Sequence, residues 1–291
     1  MSYHSVFRPG LFANQSIIVT GAGSGIGRCT AHELASLGAH VVLVGRKIAK
    51  LESVAAEVRA DGGECSLAAF DIRDEEAVKS AVANIVKERG VIHGLVNNAG
   101  GQFPSPLAII SKKGFDAVVS TNLTGGFLMA REVYTQCMST HGGAIVNMLA
   151  DMWGGMPGMG HSGAARAGML NFTETAAVEW GASAVRVNAV APGWVASSGL
   201  DSYKDPMVHA LIPLLKKRVP LQRLASEAEV SAAIVFLLSE AAAYINGACI
   251  RIDGGGSCNT RILPLPEHDR SRAYEGFHRA APPAVLKDSS K

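Results

Sequence analysis

Short apolar runs alternate with helical hydrophobic patterns along most of the chain. The apolar runs are continuous and rich in β-branched residues, which is typical of strands buried on both faces of a parallel sheet. We predict strands at 16–20, 40–44, 64–70, 92–96, 144–148, 185–190 and 248–252. Helical patterns lie between them, near 26–37, 47–60, 74–89, 114–140, 161–181 and 227–239. This alternation predicts a single-domain, Rossmann-type α/β fold, with a doubly wound parallel sheet of about seven strands.

Two segments interrupt the alternation. Residues 194–225 lie between the sixth and seventh predicted strands and contain three prolines. A long insert of this kind is typical of a functional lid or of a disordered loop, and we predict a substrate lid. Residues 259–291 hold four of the twelve prolines and end in a polar sequence. We therefore predict an N-terminal extension at 1–13, one domain at 14–258 with a lid at about 194–225, and a C-terminal tail at 259–291.

The composition argues against several classes of protein. The 291 residues are 48% hydrophobic and 18% charged, which suits a buried core and not a disordered chain. The net charge of +2 comes without any block of like charge, so we expect neither a nucleic-acid nor a membrane surface as partner. The cysteines are scattered without a CxxC pair, which indicates reduced thiols and no metal site. With no secretory pattern at the N-terminus, we expect a cytoplasmic protein.

A glycine-rich segment follows the first predicted strand and opens the first predicted helix. Its sequence, TGAGSGIG at 20–27, permits a tight turn, and the helix N-terminus adds free N–H groups and a partial positive charge. In this strand–loop–helix context the pattern predicts binding of a dinucleotide pyrophosphate. The residues expected to line the site are Gly21, Ser24, Gly25, Ile26 and Gly27.

The end of the second predicted strand indicates which dinucleotide is bound. An acidic residue that binds the ribose 2′-hydroxyl is expected about 20 residues after the glycine-rich loop. The chain has Arg46 and Lys47 there and no carboxylate. Two cations favour a 2′-phosphate, so we predict NADP(H) as the cofactor. The alternative is that both residues simply form a solvated helix start.

The chain resembles the short-chain dehydrogenase/reductase family over residues 14–256. The resemblance rests on the TGAGSGIG loop, NNAG at 97–100, PG at 192–193 and DGG at 253–255. It implies adenine contacts by Asp71 and Ile72, and it implies homo-oligomers, either dimers or tetramers. It also implies that Asn122 holds a proton-relay water. Further cofactor contacts are implied for Asn98, Ala99, Gly100, Pro192, Gly193 and Val195.

Within that family the resemblance is closest to peroxisomal trans-2-enoyl-CoA reductases, and it extends more weakly to 2,4-dienoyl-CoA reductases. The residues that carry it are GGQF at 100–103, TNLTG at 121–125 and HSGAARAG at 161–168. Those proteins use NADPH to reduce a carbon–carbon double bond of a fatty acyl-CoA. The resemblance therefore implies an oxidoreductase that reduces the C=C bond of an enoyl thioester, with an acyl-CoA as its substrate.

The residues that most of the family uses for ketone reduction are replaced. Aligning on HSGAARAG places Ser162 at the position of the family's tyrosine and Arg166 at that of its lysine. A serine is a far weaker acid than a phenol. Arginine stays charged and relays no proton, but Arg166 could bind the ribose hydroxyls of the cofactor or an acyl carbonyl. An enoyl thioester instead needs hydrogen-bond donors to its oxygen, which Ser162 could supply. The predicted catalytic residues are therefore Ser162, Arg166, Asn122 and Asp151.

The proton donor and the function each have alternatives. Asp151 follows the fifth predicted strand, His161 is next to Ser162, and Tyr203 lies in the lid. Any of these groups, or water, could protonate the substrate. The chain could also be a carbonyl or alcohol oxidoreductase with an atypical proton donor, or an NADP-binding scaffold that has lost catalysis.

Overall fold

The computed structural model describes residues 2–203, 210–258 and 264–287. Within these residues seven parallel strands form one sheet: β1 Ser16–Thr20, β2 His40–Gly45, β3 Glu64–Ala69, β4 Gly94–Asn97, β5 Gly143–Met148, β6 Val185–Pro192 and β7 Cys249–Ile252. Their order is β3-β2-β1-β4-β5-β6-β7. Each predicted strand is present, and the predicted doubly wound, Rossmann-type sheet is confirmed.

Helices cover both faces of the sheet. Their bounds are α1 Gly25–Ser36, α2 Ile48–Ala60, α3 Glu75–Arg89, α4 Lys112–Val119, α5 Gly125–Val133, α6 Ser139–His141, α7 Gly160–Glu179, α8 Glu227–Leu238 and α9 Ala284–Lys287. The helix predicted at 114–140 is present, but two π-helical turns, Ser120–Thr124 and Tyr134–Met138, divide it. Such turns are frequent at functional sites, and the first of them contains Asn122.

The period-2 alternation of the strands explains the two cores. In β1, Ile17 and Val19 point to one face and pack with α1, α2 and α8, whereas Ile18 points to the other face and packs with α3 and α5. Side-chain caps fix two of the helix starts. Asp74 accepts a hydrogen bond from Ala77 N at the start of α3, and Ser226 and Glu229 form a capping box at the start of α8.

The strand order reverses between β1 and β4, which creates a crevice at the carboxyl edge of the sheet. β1 leads outward to β2 and β3, whereas β4 leads the other way to β5, β6 and β7. In open parallel sheets ligands bind at such a point. The loops after β1, β4, β5 and β6 therefore define where the site lies.

The N-terminal extension and the tail pack together over α1 and α8. Tyr3 and Phe277 are buried, with ring centroids 5.8 Å apart, and Arg279 binds both carboxylate oxygens of Asp61 at 2.7 and 2.8 Å. Glu33 is fully buried, and burial raises its pKa. Its carboxylate accepts hydrogen bonds from the hydroxyls of Tyr3, Ser5 and Ser231. The tail is thus attached to the dinucleotide-binding side of the sheet.

The lid predicted at about 194–225 contains two 3₁₀ segments, Leu200–Ser202 and Ile212–Arg218. Residues 204–209 of the predicted lid, and 259–263 and 288–291 of the predicted tail, lie outside the described residues. The division of the chain into extension, domain, lid and tail stays a prediction. Among the described residues, no helix is long and apolar enough to cross a membrane.

Candidate active site

The glycine-rich loop after β1 forms a cradle with no room for side chains at two positions. Gly21 has φ +68°, in the left-handed region that favours glycine. A Cβ on Gly21 would lie 2.8 Å from Asn98 Nδ2, and a Cβ on Gly27 would overlap the Gly21 carbonyl oxygen. Both glycines are therefore required by the close approach of the two backbone segments.

The start of α1 suits an anion. Because α1 begins at Gly25, the N–H groups of its first turn lack helical partners. Within the described residues, a Cβ on Gly25 would come within 4 Å only of the Glu227 carboxylate, at 3.9 Å. Burial raises the pKa of that carboxyl to about 7, which reduces its charge near neutral pH. Ser24 precedes the helix and Ile26 lies in its first turn, so these residues fit a dinucleotide pyrophosphate.

Thr20 and Asn98 attach the loop to the end of β4. The Thr20 hydroxyl accepts hydrogen bonds from Asn98 N at 3.0 Å and Ala99 N at 2.9 Å, and it donates to Val96 O. Asn98 Nδ2 donates to Thr20 O at 2.9 Å. The predicted cofactor residues of the NNAG motif are thereby held against the glycine-rich loop, at the switch point of the sheet.

The end of β2 carries the cations that were predicted to select the cofactor. The Arg46 side chain is 62% exposed, and its Nη1 lies 4.0 Å from Asp71 Oδ2. Arg73 binds the same carboxylate at 2.5 Å and lowers its pKa. Lys47 is exposed just before α2, and Ile72 is buried. Arg46 is thus exposed and held only by a long ion pair, so it can turn toward a phosphate. No signal in the sequence identified Arg73 as the partner of Asp71.

The predicted nicotinamide end lies between β6, β7 and the lid. β6 ends at Pro192, and a Cβ on Gly193 would lie 3.0 Å from the Cα of Asp253, so a side chain here would push the end of β7 away by a few tenths of an ångström. Val195 is buried and forms a parallel bridge with Ala225. The two ends of the lid are therefore joined beside the PG motif.

Arg166 is buried and its guanidinium is held by two acceptors. It donates through Nη1 to Met148 O and through Nη2 to Asn122 Oδ1 at 3.4 Å, and burial lowers its pKa to about 10. Asn122 also exchanges two hydrogen bonds with the backbone of Gly101, at 2.8 and 2.9 Å. A Cβ on Gly100 would lie 2.6 Å from the guanidinium. The structure thus brings Arg166, Asn122 and the NNAG loop together.

Ser162 is fully buried at the start of α7 and bonded to a residue that the sequence analysis did not assign to the site. Its hydroxyl donates to Gln102 Oε1 at 2.5 Å. The Gln102 amide in turn donates through Nε2 to the Tyr203 hydroxyl at 3.3 Å. The only available signal was the position of Gln102 within GGQF. Neighbouring His161 is fully buried with its ring edge-on to Phe103, at 4.5 Å between centroids.

Asp151 lies at the same edge but faces β7. Burial and the nearby charge of Asp253 raise its pKa. Its Oδ1 is buried without a hydrogen-bond partner among the described residues. A Cβ on Gly256 would lie 3.9 Å from its Oδ2. The carboxyl is therefore able to hold a proton closer to neutral pH than an ordinary aspartate.

This chain belongs to the short-chain dehydrogenase/reductase family: the family model described as enoyl-(acyl carrier protein) reductase matches residues 21–257. The predicted family is confirmed, and the protein is an oxidoreductase that binds a nicotinamide dinucleotide.

Three relatives define its neighbourhood. The chain is 66% identical to the solved citronellol catabolism dehydrogenase of Pseudomonas aeruginosa PAO1, over 88% of this chain and 100% of that one, with a TM-score of 0.80. It is 36% identical to a probable 2,4-dienoyl-CoA reductase of Bacillus subtilis strain 168, over 83% of this chain and 96% of the relative. A protein from Beutenbergia cavernae, described as a putative NAD(P)-dependent gluconate 5-dehydrogenase and solved with NADP at low occupancy, is 31% identical over 87% of this chain and 100% of that one, with a TM-score of 0.79.

Proposed function

We propose that this protein uses NADPH to reduce the carbon–carbon double bond of an enoyl thioester, with an acyl-CoA as substrate. The observation that carries the proposal is the burial of Ser162 and Arg166, which the family resemblance assigns to the positions of the tyrosine and the lysine. The Arg166 guanidinium is committed to Met148 O and Asn122, so it holds groups in place and relays no proton. This arrangement lacks the usual carbonyl acid and retains hydrogen-bond donors.

An enoyl thioester makes a different demand from a ketone. A bound NADPH supplies hydride, which adds to Cβ and places negative charge on the thioester oxygen. A donor aimed at this oxygen lowers the barrier without being a strong acid. We assign that role to the Ser162 hydroxyl, which exchanges Gln102 for the thioester oxygen by rotation about a single bond. In this proposal Arg166 holds the ribose hydroxyls of the bound cofactor, and Asn122 holds the relay water that the family resemblance implies.

The reaction also needs a proton at Cα. Asp151 and Tyr203 are two of the candidate donors at this edge. Asp151 has a raised pKa and faces β7. Tyr203 reaches in from the lid through Gln102. The dienoyl-CoA reductase named above acts on a substrate of the same chemical class, which supports a conjugated thioester.

The choice of NADPH rests on Arg46 and Lys47, which follow β2 where a carboxylate would select NADH. We further propose that copies associate as a dimer or tetramer. Phe127 on α5 is 37% exposed and Val178 on α7 is 83% exposed, so both helices carry apolar side chains on the surface of the single chain.

The test follows NADPH oxidation with a trans-2-enoyl-CoA, a 2,4-dienoyl-CoA and a 3-ketoacyl-CoA in parallel. We expect turnover of the unsaturated thioesters and none of the ketone. Ser162→Ala and Arg166→Ala should each lower kcat roughly 100-fold, the usual loss for one transition-state donor. Ser139→Ala, an exposed serine of α6, is the matched control and should be unaffected. Full turnover by both site variants would show that the site assignment is wrong.

A second candidate is an alcohol or carbonyl oxidoreductase. It is favoured by the 66% identical relative, which is named a dehydrogenase of citronellol catabolism. Oxidation of citronellol with NADP⁺, or reduction of the 3-ketoacyl-CoA, would establish it. Binding of NADPH without turnover of any of these substrates would instead support a scaffold that has lost catalysis.

A further inference from the structure

A directed chain of hydrogen bonds links the buried start of α7 to the lid. Ser162 Oγ donates to Gln102 Oε1 at 2.5 Å, and Gln102 Nε2 donates to the Tyr203 oxygen at 3.3 Å. An amide oxygen only accepts and an amide nitrogen only donates. In the structure the Gln102 amide oxygen faces Ser162, so the donating nitrogen faces the lid.

This direction leaves the phenolic proton of Tyr203 uncommitted. Its oxygen accepts from Gln102, and no acceptor for its own O–H is found in the part of the chain that the structure describes. A hydroxyl that accepts one bond still has one proton to donate. Ser162, by contrast, has a single proton that is given to Gln102 or, during turnover, to the thioester oxygen.

A second set of contacts holds the lid next to Tyr203. The Asp201 carboxylate accepts hydrogen bonds from the backbone N–H groups of Ala284 and Val285, each at 3.1 Å. Asp201 is two residues before Tyr203, so the tail fixes the backbone on one side while Gln102 fixes the hydroxyl on the other. The position of the phenol is thus determined by two distant segments of the chain.

The other candidate acids are placed less well. His161 Nδ1 accepts from Ser162 N at 2.9 Å, and its ring packs against Phe103. Asp151 faces Asp253 and the end of β7 rather than the Ser162–Gln102 pair. A phenol is also a much stronger acid than the serine hydroxyl.

We propose that Tyr203 is the catalytic acid that protonates Cα, and that Gln102 is its positioning residue; this rests on the proposed function. A bound NADPH would supply the hydride that forms the new C–H bond at Cβ. The π electrons of the double bond move to the enolate, whose collapse takes the proton of Tyr203 at Cα. The tyrosinate then recovers a proton from water, so the C=C bond is reduced by two electrons and two hydrogens while NADPH is oxidised to NADP⁺.

The first experiment compares Tyr203→Phe with wild type on the unsaturated thioester that wild type reduces best. Loss of a general acid typically costs 10²- to 10⁴-fold, so we expect kcat to fall about 100-fold or more while the Kd for NADPH stays within twofold. The wild-type solvent deuterium isotope effect should increase in the variant, as protonation becomes slower. Tyr244→Phe, at a fully exposed tyrosine far along the chain, is the matched control and should retain wild-type kcat.

Variants at Gln102 test the positioning role. Gln102→Glu keeps an acceptor for Ser162 but replaces the donor to Tyr203 with a second acceptor, which would take the phenolic proton. We expect kcat to fall roughly 10-fold or more with little change in KM. Gln102→Glu combined with Tyr203→Phe should be no slower than Tyr203→Phe alone, because a positioning residue has no effect once its acid is gone.

Three results would overturn the proposal. If Tyr203→Phe retains kcat within about threefold, Tyr203 is not the acid, and a matching loss in Asp151→Asn would assign that role to Asp151. Additive losses in the double variant would show that Gln102 acts independently of Tyr203. If wild type reduces neither thioester, the proposed function itself fails. A failure confined to the variants leaves that function standing.

Discussion

The glycine-rich loop and the lid meet at the same edge of the sheet, yet they are shaped by different interactions. The loop is shaped by missing side chains: Gly21 and Gly27 let two backbone segments touch. The lid residue Tyr203 is placed by side chains and tail contacts that are distant in sequence, through Gln102 and Asp201. The shape of the loop therefore depends on glycine at given positions, whereas the place of Tyr203, the proposed acid, depends on side-chain contacts between distant segments.

The largest expected effect comes from a side chain added to the glycine-rich loop. Gly27→Ala adds a Cβ that overlaps the Gly21 carbonyl oxygen and Asn98 Nδ2, so the loop must open. We expect the Kd for NADPH to rise at least about 100-fold, or ~2.7 kcal/mol, measured by fluorescence titration. Gly181→Ala is the matched control, since its Cβ would meet only Asn246 Nδ2 at an ordinary 3.8 Å. Unchanged NADPH binding in Gly27→Ala would show that the loop is not the pyrophosphate site.

The same contrast explains what could be predicted from the sequence. Strands and the glycine-rich loop follow from local patterns, so their predicted positions agree with the structure to within a few residues. The π-helical turn at Asn122 and the Ser162–Gln102 bond depend on packing between segments that are far apart in sequence. A one-dimensional pattern carries no information on such pairs. The family resemblance located the replaced residues but gave no role to Gln102.

The next largest effect concerns Arg46 and the preference for NADPH over NADH. The Arg46 side chain is 62% exposed, and its ion pair with Asp71 is long, at 4.0 Å. Its replacement should therefore leave the fold intact. Arg46→Asp removes the cation for a 2′-phosphate and adds an acceptor for a 2′-hydroxyl. We expect the ratio of NADPH to NADH affinity to fall about 10-fold or more, ~1.4 kcal/mol.

The measurement for this variant is a pair of titrations, one with each reduced cofactor. Arg59→Asp, on α2 and facing Cys65 O, reverses a charge of the same element away from the loop and is the control. An unchanged preference in Arg46→Asp would contradict the NADP(H) assignment. A loss of both affinities together would mean that the substitution disturbs the site rather than its selectivity.

The smallest effect concerns the tail, which joins the dinucleotide-binding side to the lid. Asp61 binds Arg279, and this lowers its pKa from 3.8 to about 2. A depressed acidic pKa contributes stability that is fully present above pH 3.8 and is lost as the pH falls toward 2. Asp61→Asn should therefore lower the free energy of unfolding by about 1 kcal/mol at pH 7, with a difference that shrinks toward pH 3.

Urea unfolding of both proteins across this pH range measures the difference. Asp116→Asn is the control, because its i,i+4 pair with Lys112 is exposed and should contribute less than about 0.5 kcal/mol at any pH. A pH-independent loss in Asp61→Asn would attribute the effect to packing instead of charge. The variant can be assayed with the thioester as well. A raised KM with an unchanged Kd for NADPH would show that the attachment of the tail at Asp61 also positions the lid, which the tail contacts at Asp201.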